Sequence, residues 1–382
     1  MNHEIKIKDL IFAEDSHYKT ENVKIGSKIF STPIKALDLK KNITDISVNQ
    51  KIKGINEVYR IFNSKSLNNV QTTDREQTIN NEVNRLFKKY SSDDEVNICF
   101  TEFEDIRIPN EDEIEYLTNL SYVHSDITPL PMLPKVSKNI TSDNFNEYNT
   151  FIKKAIDTIE VLNNKPIMGV IPMSIPSTFM PMLLKTYTDN GITALCLDFQ
   201  GSTVGSSLTK IRALVKSIKK QNLLEKSFIY SINLGAGKLP KTKEVVPAKD
   251  ILSFGYGFDA IGGQHVRKKL SPEVRAKILS SKNMFENSLR LFNKNDYGYY
   301  RATKKETIEG VYPKDSSIPL AILEKIKSNS NVDKLFNQEQ QGFEAVNLRT
   351  IIKEDHKLLS YLNKKKYVEK NDIKMLENIK NK

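Results

Sequence analysis

Residues 226–266, KSFIYSINLGAGKLPKTKEVVPAKDILSFGYGFDAIGGQHV, decide how this chain is read. A β-branched and aromatic run at 228–234 ends in Gly235-Ala236-Gly237, and a second apolar run at 254–261 carries Asp259 near its end. Short apolar runs bounded by glycine read as strands. A lone carboxylate at the end of such a strand is costly to bury, which marks Asp259 as the leading functional residue.

Upstream, strand and helix alternate. Apolar runs at 96–100, 122–125, 166–171 and 194–198 read as strands, and the stretches 110–120, 145–162, 177–190 and 206–221 as helices. Repetition of this unit predicts a parallel sheet with crossover helices, and several units in series favour a (β/α)8 barrel, a TIM barrel, over an open sheet. Before it, residues 23–34 read as a hairpin turning at Gly26-Ser27, and 76–89 as a helix in an otherwise polar stretch. Barrel enzymes draw catalytic groups from the carboxy ends of their strands. Polar residues recur there: Glu102, Asp126, Asp198 with Gln200, Gly235 with Gly237, then Asp259. An aspartate after a strand also commonly caps the next helix.

The 382 residues carry 58 Lys+Arg against 47 Asp+Glu, a net charge of +11. From residue 264 onward the counts are 25 against 15, whereas residues 1–263 are nearly balanced at 33 against 32. The expected organisation is a barrel over 1–285 and a basic, mainly helical region over 286–382, with helices at 272–293 and 338–364. A neutral body with a basic appendage suits a polyanionic partner, with a solvated Lys-rich surface as the alternative. Cys99 and Cys196 lie in apolar runs without metal-ligand spacing, so neither a disulfide framework nor a zinc site is expected. No apolar run approaches membrane-spanning length and no signal-type core opens the sequence, which predicts a cytoplasmic protein.

Two glycine patterns need other readings. Gly255-Tyr-Gly257-Phe-Asp-Ala260 has the form of a dinucleotide fingerprint, but its glycines fall in the run that reads as strand. Gly235-Ala-Gly237-Lys238 lacks the spacing and the Ser/Thr of a phosphate loop, although it permits close backbone approach to a ligand. His124 and His265 could line a site, without forming a metal centre.

Together these segments resemble the tRNA-guanine transglycosylase superfamily, more its archaeal and DNA-modifying deazaguanine branches than the bacterial enzyme. The resemblance covers about residues 23–265. It rests on the hairpin leading to Ser31-Thr32-Pro33, on Ser125-Asp126-Ile127-Thr128-Pro129-Leu130-Pro131, on Ile167-Met-Gly-Val-Ile-Pro172, and on Gly235-Ala-Gly237 followed by Gly257-Phe258-Asp259. That last pair is similar to the family's Gly-x-Gly and Gly-Val-Asp-x-Phe-Asp region. The resemblance implies base exchange: an aspartate, here Asp259, attacks the anomeric carbon, guanine leaves, and a 7-deazaguanine displaces the enzyme. It further implies Asp126 on the purine edge, Asp198 or Gln200 on another, Gly235, Gly237 and His265 lining the base, tRNA or DNA as the polymer, no cofactor, and a possible homo- or hetero-dimer. Departures accompany it. Thr101-Glu102-Phe103-Glu104 stands where the family has its second catalytic aspartate, which passes the acid/base role to Glu102; Pro172-Met173 replaces a Gln-Gly pair; and the zinc motif is missing. Two functions follow: a diverged transglycosylase, or a catalytically inactive relative that binds nucleic acid or a partner.

Overall fold

The computed structural model describes residues 5–73, 75–162, 165–237, 240, 242–266, 272–273, 276, 288–324 and 331–380. Strands β1 (Lys6–Phe12), β2 (Lys19–Ile25) and β3 (Lys28–Thr32) form an antiparallel sheet, with the β2–β3 turn at Gly26-Ser27. The chain then runs through β4 (Ile34–Lys35), β5 (Leu37–Asp38), β6 (Ile55–Phe62) and β7 (Val96–Phe103). It continues with β8 (Thr128–Pro129), β9 (Ile167–Pro172), β10 (Ala194–Asp198), β11 (Phe228–Ile232), β12 (Val245–Pro247) and β13 (Ala260–Ile261), and ends its strands with β14 (Leu289–Asn293) and β15 (Gly298–Ala302).

The expectation of one (β/α)8 barrel is corrected by how these strands pair. Six form a parallel sheet in the order β4-β13-β11-β10-β9-β8, three form a separate parallel sheet β5-β6-β7, and β12-β15-β14 is antiparallel like β1-β2-β3. The division has a local cause, because β4, β5, β8 and β13 are two residues each and cannot carry a continuous ladder. The chain changes partner across Ala36: Ile34 and Lys35 pair with β13, whereas Leu37 and Asp38 pair with β6. Between β7 and the segment after β8 only a single parallel bridge, Glu102 to Met132, forms.

Four further expectations change. The run at 254–261 is no strand: Ile251–Tyr256 is a 3-10 helix ended by Gly257 at φ 86°, and only Ala260–Ile261 is extended. Residues 122–125 do not form a strand either, because the helix Glu111–His124 runs through them. Its start is set by a capping box in which Asn110 accepts from Glu113 N while the Glu113 carboxylate accepts from Asn110 N. Of the helix expected at 272–293, residues 289–293 are β14, and most of the remainder lies outside the described residues. The later helix divides into Val332–Glu354 and Leu359–Asn363.

One shared core holds the parallel strands and the C-terminal elements together. Tyr18, Phe228, Tyr230 and Phe254 belong to the same buried cluster as Tyr297, Leu348 and Leu376. β12, inside the expected first region, pairs with β15. The helix Val332–Glu354 packs on β14, β4 and β2 and buries Gln338, Gln341 and Glu344 beside its apolar residues. Buried amides and carboxylates on a helix require partners: Gln338 accepts from Asp38 N at the end of β5, Gln341 donates to Asp250 and Tyr299, and Glu344 accepts from Tyr297 and Tyr361. No helix among the described residues is long and apolar enough to cross a membrane.

Candidate active site

Glu57 and Tyr59 alternate along β6 and so share one side of the strand. Glu102 stands near the carboxy end of β7, Asp198 ends β10, and Asn233 follows β11. Their side chains join. Tyr59 Oη donates to Glu102 Oε2, and Asn233 Nδ2 lies 2.9 Å from Asp198 Oδ1 and 3.4 Å from Tyr59 Oη. Gln200 N completes the array by donating to Asp198 Oδ1 at 3.1 Å. Asp198 is 2% exposed and Glu102 9%, so Glu102 is the carboxylate nearer to solvent. Burial raises the Asp198 carboxyl above its ordinary range, against the hydrogen bonds from Asn233 and Gln200. The Tyr59 hydroxyl is pushed well up by burial and by the charge of Glu102, so it remains a donor.

Behind this array lies a second polar group. Glu57 accepts from Tyr230 Oη, from Gly263 N and from His265 Nε2, the last at 2.9 Å. Burial pushes the Glu57 carboxyl up, but the opposing effects of His265, Lys35 and Tyr230 prevail and hold it below its usual range. The His265 ring stacks on Tyr59 with centroids 4.4 Å apart, its Nδ1 is 3.6 Å from Asp38 Oδ2, and its backbone N–H donates to Asn233 Oδ1 at 2.8 Å. This group fixes Tyr59 and Asn233 in place, and through them the two carboxylates.

The loops at these strand ends carry backbone strain. Gln200 has φ 50° and Asn233 φ 57°, left-handed values that L-residues with side chains adopt at a cost. The two loops also approach closely: Gly201 N donates to Asn233 O at 2.8 Å, and a Cβ on Gly235 would stand 2.3 Å from Gly201 O. Gln200 Nε2 donates to Ser137 Oγ at 2.9 Å, while its Oε1 is buried without a partner among the described residues.

The predicted residues divide between the two ends of the sheet. Glu102, Asp198, Gln200 and His265 converge with Asn233. Asp259 does not join them, because it precedes β13: its N–H donates to Ile229 O, its Oδ2 accepts from Ile229 N at 2.7 Å, and its Oδ1 is 3.1 Å from Lys19 Nζ. Ile229 is level with Leu195 and Ile232 with Asp198, so Asp259 lies roughly 10 Å towards the amino ends at 3.3 Å per residue. Asp126 is displaced for the same reason. It precedes β8, and its Oδ2 accepts from Asn97 N and Lys28 Nζ, both at 2.7 Å, near the start of β7. Gly235 and Gly237 follow Asn233, where Arg290 Nη1 donates to Gly237 O at 3.1 Å. Lys238 lies outside the described residues.

Glu57, Tyr59 and Asn233 were not among the predicted residues. The available signal was the extended run at 55–62 between Gly54 and the helix-capping Asn63. No group of three or more His, Cys, Asp or Glu that could hold a metal ion occurs among the described residues. No protein-family model matches the chain, and no curated protein matches it.

Proposed function

We propose that this chain is a base-exchange transglycosylase acting on a guanine in nucleic acid, with Glu102 and Asp198 as its working carboxylates in place of Asp259. The observation that supports this reading is the hydrogen-bonded array Glu102–Tyr59–Asn233–Asp198, which joins the carboxy ends of β7, β10 and β11 through Tyr59 of β6. Glu102 attacks the anomeric carbon to form a glycosyl ester, while Asp198, which burial favours in its protonated form, gives its proton to the departing guanine. An incoming 7-deazaguanine returns a proton to Asp198 and displaces Glu102, so no redox step or cofactor enters. The nucleotide must leave its stack to reach these groups. The basic excess after residue 263 supplies phosphate contacts, and buried free Cys99 and Cys196 suit the cytoplasm.

A second reading, a nucleic-acid-binding relative without catalysis, is favoured by one feature. With Asp259 at the start of β13, the second aspartate of the resembled Gly-Val-Asp-x-Phe-Asp pattern falls on Gly262, where a Cβ would lie 2.6 Å from Glu57 Oε2. One experiment separates the two. The protein is incubated with tRNA or DNA carrying labelled guanine, and base release and a denaturant-stable adduct are measured. Exchange that disappears in Glu102→Gln supports the enzyme; salt-sensitive binding with neither release nor adduct overturns it.

A further inference from the structure

A cavity of about 220 Å³ lies not over the carboxylate array but beside it, across the backbone of residues 261–263. Its opposite wall is one face of the helix Val332–Glu354, carrying Lys334, Asn337, Gln338 and Gln341. Lys334 and Gln341 are roughly 10 Å apart along that face at 1.5 Å per residue.

The two ends differ in chemistry. At the Gln341 end, Gln341 Nε2 donates to Asp250 Oδ2 at 2.9 Å and to Tyr299 Oη at 2.8 Å, and Tyr299 Oη donates to the same Asp250 Oδ2 at 2.6 Å. Asp250 Oδ1 is left buried with no partner among the described residues, although the residue is only 6% exposed. A buried carboxylate oxygen without a donor is an unmet demand for an N–H or ammonium group. At the Lys334 end stands Lys41, 3.6 Å from Asp38 Oδ2, and Asp38 N donates to Gln338 Oε1 at 2.8 Å. Both acidic residues at this end are engaged: Asp38 Oδ1 accepts from Lys40 N, and Asp333 Oδ2 accepts from Arg290 N at 3.5 Å. Burial also raises the Asp333 carboxyl, which weakens its charge there. Lys35 is consumed by the strand ends, donating to Ile261 O and Gly262 O.

We propose that this cavity is a second binding site, for a short zwitterion of the ω-amino-acid class, with its ammonium on Asp250 Oδ1 and its carboxylate between Lys41 and Lys334. The site is independent of the base-exchange reading. It shares a wall with the array, since Gly263 N donates to Glu57 and Asn233 N donates to Gly263 O at 2.9 Å.

The test uses the full chain and 5-aminopentanoate, with pentylamine and pentanoate as single-ended controls, followed by saturation-transfer NMR and calorimetry. The zwitterion should bind about tenfold or more tighter than either control, the size of one charge-assisted hydrogen bond. Asp250→Asn should remove the preference over pentanoate, and Lys334→Glu, at an exposed position, the preference over pentylamine. Circular dichroism checks that each variant is folded; if Asp250→Asn is not, Gln341→Leu replaces it as the probe of that end. Absence of saturable binding, equal affinity for all three compounds, or affinity unchanged in Lys334→Glu overturns the proposal.

Discussion

Lys19 Nζ lies 3.1 Å from Asp259 Oδ1 and 3.0 Å from Glu21 Oε2, with all three side chains closed off from solvent. This arrangement at the amino ends of the strands makes Asp259 a partner in a buried ionic group. Asp259→Asn leaves Lys19 to Glu21 alone and weakens the acceptor of Ile229 N, so it should destabilise the fold by about 1–3 kcal/mol, measured by denaturant unfolding. Base exchange per folded molecule should be unchanged. Loss of exchange in a fully folded variant would return Asp259 to the reaction.

Glu21 carries the pH dependence of the same group. Burial, reinforced by the charge of Asp259, lifts its carboxyl from 4.5 to about 8, against the opposing pull of Lys19. The folded protein therefore binds a proton that the unfolded chain releases near pH 4.5. Stability from this residue is present below pH 4.5 and is lost as pH rises to about 8, at up to about 1.4 kcal/mol per pH unit. Glu21→Gln should flatten that slope in urea denaturation between pH 5 and 8, and an unchanged slope would assign it elsewhere.

Within the array, the two carboxylates should separate kinetically. Glu102→Gln should abolish adduct formation, whereas Asp198→Asn should slow guanine release by about 100-fold or more, as expected for loss of a general acid. Tyr59→Phe, which removes one donor to Glu102, should cost about 1 kcal/mol of transition-state stabilisation, seen in kcat/KM. Equal activity of all three variants and wild type would exclude this site.

Gly262→Ala tests the packing behind the array. Its Cβ would meet Glu57 Oε2 at 2.6 Å and Tyr230 Oη at 2.7 Å, both buried, so neither neighbour can swing into solvent. Overpacking of this kind costs about 1–3 kcal/mol, which thermal unfolding would read, and the displaced Glu57 should loosen His265 and lower exchange.

Nucleic-acid affinity should fall linearly in log Kd with log salt, the slope counting the phosphates neutralised at about 0.9 each for duplex DNA. Lysine-to-glutamine changes among the exposed C-terminal positions should reduce that slope. A salt-independent Kd would remove the electrostatic role of the basic region.

The sequence by itself determined the elements whose pattern is local. β7, β9, β10 and β11 are apolar enough to be read directly, and the helix Phe145–Leu162 and the first part of the helix Glu111–His124, read over 110–120, follow from periodicity. Glu102, Asp198 and Gln200 lie beside one another because each ends or follows such a run, whereas His265 follows a segment that is not the strand its composition suggests. Tertiary structure alone decided which end of the sheet each carboxylate occupies. Residues 251–256 have a strand-like composition, yet Gly255 packs so tightly on Tyr18 and Leu376 that a Cβ there would be 2.5–2.6 Å from them, and the segment closes into a 3-10 turn. That turn delays the strand to Ala260 and leaves Asp259 at its beginning. Glu57 was hidden for a related reason: Tyr230 and His265, which make its burial tolerable, are 173 and 208 residues away. A carboxylate whose partners are that remote has no local signature, and only the folded chain brings them within hydrogen-bonding distance.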